Sequence, residues 1–243
     1  MSAIPCSYSL SSVAPVCLSK RSKNVCKVDY TLYMVTDRTL MGTKTLEECV
    51  EQALSGGVTL VQLREKHLDT EAFVMLGKRI KRLCDAYDVP LVINDRLDVA
   101  LGVDAIGVHI GQHDLSVSEA RAILGPNRLL GVSATTVVQA KKAQADGADY
   151  LGVGAMFVTQ TKQDASYVSL QTLAAIRKAV NLPIVTIGGM NKETIPLCAP
   201  YGVQGFAVVS ALVSQPDVFL AAKELEQCSK AYVRPVPPAI YGT

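Results

Sequence analysis

Residues 91–110 read LVINDRLDVALGVDAIGVHI, and the fold follows from this stretch. Leu91–Ile93 and Ala105–His109 are short, continuous apolar runs, the pattern of strands covered on both faces. Arg96–Leu101 between them has the apolar spacing of a helix. Outward from this unit the same alternation recurs. Further strands are expected at Thr31–Val35, Thr59–Leu63, Leu129–Val132, Tyr150–Val153, Ile184–Ile187 and Gly205–Val209. Helices are expected at Leu46–Leu54, Glu71–Tyr87, Ser118–Leu124, Val137–Asp146, Leu170–Val180, Thr194–Ala199 and Val218–Cys228. Gly56–Gly57, Pro90 and Pro183 punctuate the boundaries. Eight such strands alternating with helices predict an α/β fold, a single-domain (β/α)8 TIM barrel, with a doubly wound open sheet as the competitor.

The 243 residues suffice for one large barrel domain; they are 49% hydrophobic and 19% charged, without Trp, which excludes a disordered or collagen-like chain. No apolar run has the ~18–20 residues that a membrane helix needs, so no membrane association is expected. Residues 1–28 hold Lys20, Arg21, Lys23 and Lys27, seven serines and none of the 22 acidic residues. This segment reads as a disordered or targeting-like extension. The barrel is assigned to 29–229 and a C-terminal tail to 230–243. Without the extension the chain is weakly acidic, which argues against a nucleic-acid partner. The seven cysteines form no C-x-x-C pair, and their odd number points to a reducing compartment without structural zinc. The expected location is cytoplasmic, or an organelle if 1–28 is a transit peptide. The oligomeric state is left open, homo-oligomers included.

In a barrel, active residues sit at the C-terminal ends of the strands, and the polar residues of this chain cluster there. After the second strand come Gln62-Leu63-Arg64-Glu65-Lys66. With period-two alternation, Gln62, Arg64 and Lys66 share one face, offering a guanidinium fork and an ammonium suited to phosphate oxygens. The alternative is a solvated loop with its charges paired to Glu65 or Asp69. Asn94, Asp95 and Arg96 follow the third strand, and His109-Ile110-Gly111-Gln112-His113-Asp114 the fourth. Asp95 and Asp114 can converge from neighbouring strands, and two carboxylates with water and a substrate phosphate suit Mg2+; each could instead cap a helix. His109 reads as a structural histidine, and neither it nor His113 or His67 is given a primary role. Ser133, at the end of the fifth strand, has no suggested histidine partner and reads as a ligand hydrogen bonder. Thr159, Gln160, Thr161 and Lys162 suit an anion. Gly188 and Gly189 after the seventh strand, with Val209 and Ser210 after the eighth, suit a phosphate held by backbone N–H groups. No triad or redox motif accompanies these two anion sites, so the expected partners are small phosphorylated molecules.

Taken in order, QLREK, IND, GVHIGQHD, GVS, TQTK, IGG and VVS resemble the thiamine-phosphate synthase family over Tyr30 to Leu225. The resemblance implies a transferase that condenses 4-amino-2-methyl-5-pyrimidinylmethyl diphosphate with 4-methyl-5-(2-phosphoethyl)thiazole, or its carboxylated form. Its products are thiamine phosphate and pyrophosphate. It implies Mg2+ on Asp95 and Asp114. It places the pyrimidine diphosphate on Gln62, Leu63, Arg64, Glu65, Lys66, Asn94, Ser133 and Lys162, with Arg64, Lys66, Lys162 and Ser133 as the catalytic groups. It places the thiazole phosphate on Thr159, Gln160, Thr161, Gly189, Val209 and Ser210. A thiazole tautomerase-like isomerase and a non-catalytic phosphate-binding barrel are the alternatives. The family often carries Pro where Ala155 and Val158 stand, so a looser loop is expected there.

Overall fold

The computed structural model describes residues 28–158 and 167–233. The expectations for 1–27, for Thr159, Gln160, Thr161 and Lys162, and for 234–243 therefore lie outside the described residues. The strands are β1 (Leu32–Val35), β2 (Leu60–Leu63), β3 (Leu91–Asn94), β4 (Gly107–Ile110), β5 (Leu129–Ala134), β6 (Tyr150–Val153), β7 (Ile184–Ile187) and β8 (Gly205–Val208). The helices are α1 (Leu46–Ser55), α2 (Thr70–Ala86), α3 (Leu97–Val103), α4 (Val117–Leu124), α5 (Val137–Ala145), α6 (Leu170–Ala179), α7 (Ile195–Cys198), α8 (Ser210–Val213) and α9 (Val218–Tyr232). Neighbouring strands pair in parallel in chain order, and β1 pairs with β8, with Leu32 opposite Phe206. That last pairing closes the barrel and removes the open-sheet alternative. Among the described residues no helix is long and apolar enough to cross a membrane.

Strand alternation sorts the side chains into two cores. Leu32, Met34, Val61, Leu63, Ile93, Val108 and their equivalents face outward and pack under the helices. Tyr33, Val35, Leu60, Val92, Leu129, Tyr150 and Val185 fill the barrel itself. The helices begin where local chemistry favours it. Thr45 and Ser116 make capping boxes with Glu48 and Glu119, and Asp69, Thr136, Ser169 and Asp217 accept from the N–H three residues on.

Three boundaries differ from expectation. Helix α9 continues to Tyr232, so the expected domain edge at 229 falls within it. Leu225 and Ser229 are buried on its inner face, and the Val233 N–H caps the Ser229 carbonyl. Arg96 is the residue before α3 and not its first turn. Strand β5 runs to Ala134, so Ser133 lies within the strand and inherits its inward aim. The short helix α8 and a 3-10 turn at Arg38–Leu40 have no apolar period long enough to read from sequence. Cys49, Cys84 and Cys198 are buried thiols in the helices, and burial pushes them up to about 11, 12 and 11.

The face at the strand N-termini is stapled by one repeated device. The residue just before β2, β6 and β8 turns its side chain back to the preceding strand. Thr59 Oγ1 accepts from Leu32 N at 3.0 Å, Asp149 Oδ2 from Leu130 N at 2.8 Å, and Gln204 Oε1 from Ile184 N at 2.9 Å. Arg121 ties the middle staple down, pairing with buried Asp149 and donating to the carbonyls of Gly125, Arg128 and Gly147. This end of a barrel serves stability. Arg121→Ala removes the cation beside the buried Asp149 carboxylate, which keeps its Leu130 N–H bond, and the expected loss in denaturant unfolding is about 3 kcal/mol. A loss below ~1 kcal/mol would show that the staple contributes little.

Candidate active site

At the opposite end the barrel opens into a cavity of about 380 Å3, in the range of small-molecule sites. The sequence expectation assigned seven residues that line it: Gln62, Arg64, Asn94, Ser133, Gly189, Val209 and Ser210. They come from β2, β3, β5 and the loops after β7 and β8, separated by up to 148 positions in sequence. Strand register explains the grouping. Val35 lies opposite Gln62, Asn94 opposite His109, and Ser133 opposite Gly152, and these last inward positions all border the cavity.

Arg64 is held from two sides by the loop after β1. Its backbone N–H donates to Thr36 Oγ1 at 3.0 Å, and its guanidinium pairs with Asp37 Oδ2 at 3.2 Å. Thr36 and Asp37 were not singled out from sequence, although they follow a barrel strand, where such residues belong. The rest of the QLREK stretch divides differently from expectation. Leu63 is fully buried in the outer core, so its side chain points away from the cavity. Glu65 is paired with Arg38 at 2.7 Å and does not line the cavity. Lys66 follows the end of β2, where alternation no longer applies, and is exposed outside the cavity lining.

Asp95 and Asp114 do converge. Asp95 sits at φ 61°, a left-handed conformation that Asp tolerates better than most residues. It accepts from Asn94 Nδ2 at 2.6 Å and makes a side-chain contact with Asp114. Asp114 accepts from Gly111 N at 2.7 Å. Neither carboxylate caps a helix, since Arg96 and Ser116 occupy those positions. Burial and then the Asp114 charge raise the Asp95 carboxyl to about 6, with the nearby Arg64 charge only partly offsetting them. Two facing carboxylates that resist joint ionisation suit a divalent cation. Among the described residues no group of three or more His, Cys, Asp or Glu could hold a metal. Two protein ligands, with the remaining positions left to water and phosphate, match the habit of Mg2+.

On the other side Gly188 and Gly189 adopt φ of 92° and 66°, and a Cβ on Gly188 would meet Ala155 at 2.6 Å. The chain after β6 lies directly against them. Met156 N donates to the Ile187 carbonyl at 2.9 Å, Phe157 N to Gly188 at 3.1 Å, and Val168 N to Ala155 at 2.8 Å. Ala155 is buried and Val158 is exposed, and the rest of the loop expected to be looser, 159–166, lies outside the described residues. Val209 and Ser210, at the start of α8, complete this wall.

The largest departure concerns His109. It is buried, with Nε2 3.0 Å from Ser133 Oγ and Nδ1 3.0 Å from Tyr150 OH. Ser133 therefore has a histidine partner that the sequence reading did not supply. Gln112 also belongs to the cavity and donates to the Ser133 carbonyl at 2.6 Å.

A family model described as thiamine monophosphate synthase matches residues 32–212, three quarters of the chain and the whole set of strand ends above. The chain belongs to the thiamine monophosphate synthase family. Members of this family are transferases. The chain is 53% identical over 199 residues to the thiamine-phosphate synthase of Ruminiclostridium cellulolyticum, covering 82% of this chain and 95% of that protein. It is 49% identical over 200 residues to that of Clostridium beijerinckii, covering 82% and 96%. The thiamine phosphate pyrophosphorylase structure from Pyrococcus furiosus superposes with a TM-score of 0.78 at 38% identity, over 84% of this chain and 98% of that one. A 3-hexulose-6-phosphate synthase at 19% identity and TM-score 0.59 shares the fold.

The facing carboxylates make a prediction separable from catalysis. The folded-state value of Asp95 lies above its ordinary 3.8, so ionisation of this group opposes folding as pH rises from 3.8 through about 6. In metal-free buffer at pH 8, Asp95→Asn should raise Tm by about 2–4 °C per kcal/mol of burial and repulsion cost relieved, with the gain gone below pH 3.8. Asn tolerates the left-handed backbone, so a drop in Tm at pH 8 would contradict the repulsion.

Proposed function

We propose that this member of the family joins 4-amino-2-methyl-5-pyrimidinylmethyl diphosphate to 4-methyl-5-(2-phosphoethyl)thiazole, or its carboxylated form, releasing pyrophosphate. The observation that carries this reading is the pair of facing carboxylates next in sequence to the cavity-lining Asn94 and His113, beside a guanidinium aimed by Asp37. A site for one monophosphate has no use for such a pair. A diphosphate arriving with its cation does, so the reading favours the synthase over a tautomerase-like isomerase or a phosphate sensor.

In this reading the pyrimidine diphosphate occupies the side of the cavity formed by Gln62, Arg64, Asn94 and Ser133. Lys162 and Lys66 are assigned to its phosphates. The thiazole phosphate takes the wall of Gly189, Val209 and Ser210, together with Thr159, Gln160 and Thr161. Asp95 and Asp114 would hold Mg2+, which would supply positive charge to offset that of the diphosphate. The C–O bond to the diphosphate breaks first, and its electron pair leaves with pyrophosphate. The ring amino group stabilises the resulting pyrimidinylmethyl cation, and the thiazole nitrogen lone pair then forms the C–N bond. The protein supplies no nucleophile. Arg64 meets the charge that grows on the leaving oxygens while Asp37 keeps it in place, so little reorganisation accompanies departure. The two walls hold the thiazole nitrogen in line with the carbon. A cytoplasmic site of action belongs to the same reading, or an organelle if residues 1–28 direct the chain there.

The test is pyrophosphate release by purified protein given both substrates, with thiamine phosphate measured alongside. Equal amounts of both products, formed only when the thiazole phosphate and Mg2+ are present, are expected. Asp114→Asn should lower kcat by about 10² or more, the scale of losing one preorganised electrostatic stabiliser. Ser210→Ala should raise KM for the thiazole phosphate more than for the diphosphate; the reverse order would exchange the two walls. Folded protein that binds the thiazole phosphate but releases no pyrophosphate would overturn the reading.

A further inference from the structure

The floor of the cavity holds a continuous chain of hydrogen bonds that the reaction outlined above leaves unused. Gln62 Nε2 donates to Tyr33 OH at 2.7 Å, Tyr33 OH lies 2.9 Å from Tyr150 OH, Tyr150 OH is 3.0 Å from His109 Nδ1, and His109 Nε2 is 3.0 Å from Ser133 Oγ. All five residues border the cavity, with Gln62 and Ser133 at the two ends of the chain, and in the middle Tyr33 and Tyr150 are almost completely buried. Space for it is built into the strands. A Cβ at Gly131 would meet the Tyr150 ring at 2.2 Å, and one at Gly152 would meet the His109 ring at 2.9 Å. Burial raises both phenols above the ordinary tyrosine value, so each stays protonated and has one hydrogen to place.

Those hydrogens can be placed in order. Tyr33 accepts from the Gln62 amide, so its own hydrogen goes to the Tyr150 oxygen. Tyr150, now an acceptor, passes its hydrogen to His109 Nδ1. With Nδ1 accepting, the neutral imidazole carries its proton on Nε2 and donates to Ser133 Oγ. The Ser133 hydroxyl hydrogen is thereby released toward the cavity. At the other end the Gln62 carbonyl, which has no hydrogen-bond partner among the described residues, remains as an acceptor. A buried chain whose members are all satisfied holds one polarity, because reversing it requires every member to turn together.

We propose that His109, oriented by Tyr150 and Tyr33, is a positioning residue that fixes Ser133 as a hydrogen-bond donor and Gln62 as an acceptor toward the substrate ring. This inference rests on the functional reading above for the identity of that ring. One donor beside one acceptor matches an aminopyrimidine edge, which offers an amino N–H and a ring nitrogen. It disfavours a ring bearing a carbonyl and N–H in the same places, which would leave buried polar groups unpaired.

Two measurements test it. Nitrogen-15 NMR of the unliganded protein at pH 8 should show His109 as the Nε2–H tautomer, and Tyr150→Phe, which removes the donor to Nδ1 at nearly constant volume, should lose that preference. Steady-state kinetics should show Tyr150→Phe lowering kcat/KM for the pyrimidine diphosphate about tenfold, the scale of one hydrogen bond, with KM for the thiazole phosphate unchanged. In a Ser133→Ala background the same change should cost less than twofold, because the chain acts through Ser133. An Nδ1–H tautomer in the wild-type protein would overturn the proposal, as would the full tenfold cost persisting without Ser133, which marks a purely structural role. If the wild-type protein shows no turnover, the functional reading fails, and the tautomer in wild type and Tyr150→Phe still decides whether the chain has this polarity.

Discussion

Two carboxylates, Asp95 and Asp114, face each other beside the mouth of the barrel, and burial together with the neighbouring charge raises the Asp95 carboxyl to about 6, so its ionisation is costly without a counter-charge. Much of the site is arranged around that constraint. Asn94 donates to Asp95 and the Gly111 N–H to Asp114, so each carboxylate is aimed rather than free. Arg64 is the nearby positive charge, but Asp37 claims part of it. Among the described residues the carboxylate pair is therefore short of positive charge, and it invites a cation that itself has room for phosphate. The facing carboxylates are costly to the unliganded fold, and they make sense once a diphosphate and its cation are the ligand.

The barrel makes such an arrangement affordable by separating its two ends. At the strand N-termini, Thr59, Asp149 and Gln204 close three strand pairs, and Arg121 adds a buried ion pair with its hydrogen bonds satisfied. At the strand C-termini, the inward positions switch from apolar residues to Gln62, Asn94, His109 and Ser133. The two ends share strands of four to six residues, so side chains one pleat apart serve stability below and ligand contact above.

Much of this was legible in the sequence. The eight strands showed because each is a short apolar run bounded by Gly, Pro or charge, and every expected strand overlaps an observed one. The carboxylate pair showed because β3 and β4 are consecutive in sequence and adjacent in space. What did not show depends on contacts between distant strands. Tyr33 and Tyr150 read as ordinary apolar strand residues, and only closure of the barrel brings their hydroxyls together across 117 positions. His109 read as structural for the same reason, since nothing local announces Ser133 as its partner. Lys66 and Leu63 lie outside the cavity lining for a different reason. Alternation was extended past the last hydrogen-bonded residue of β2 in one case, and proximity to a motif was taken as orientation in the other.

The central claim is that the acidic rim receives a diphosphate through a divalent cation instead of repelling it. Calorimetric titration of inorganic pyrophosphate into the purified protein, with and without Mg2+, tests this most directly. Saturable binding that requires Mg2+, and that is lost when both Asp95 and Asp114 are changed to Asn, is the predicted result. Pyrophosphate binding that is equally strong without the metal, or that survives in the doubly substituted protein, would contradict it.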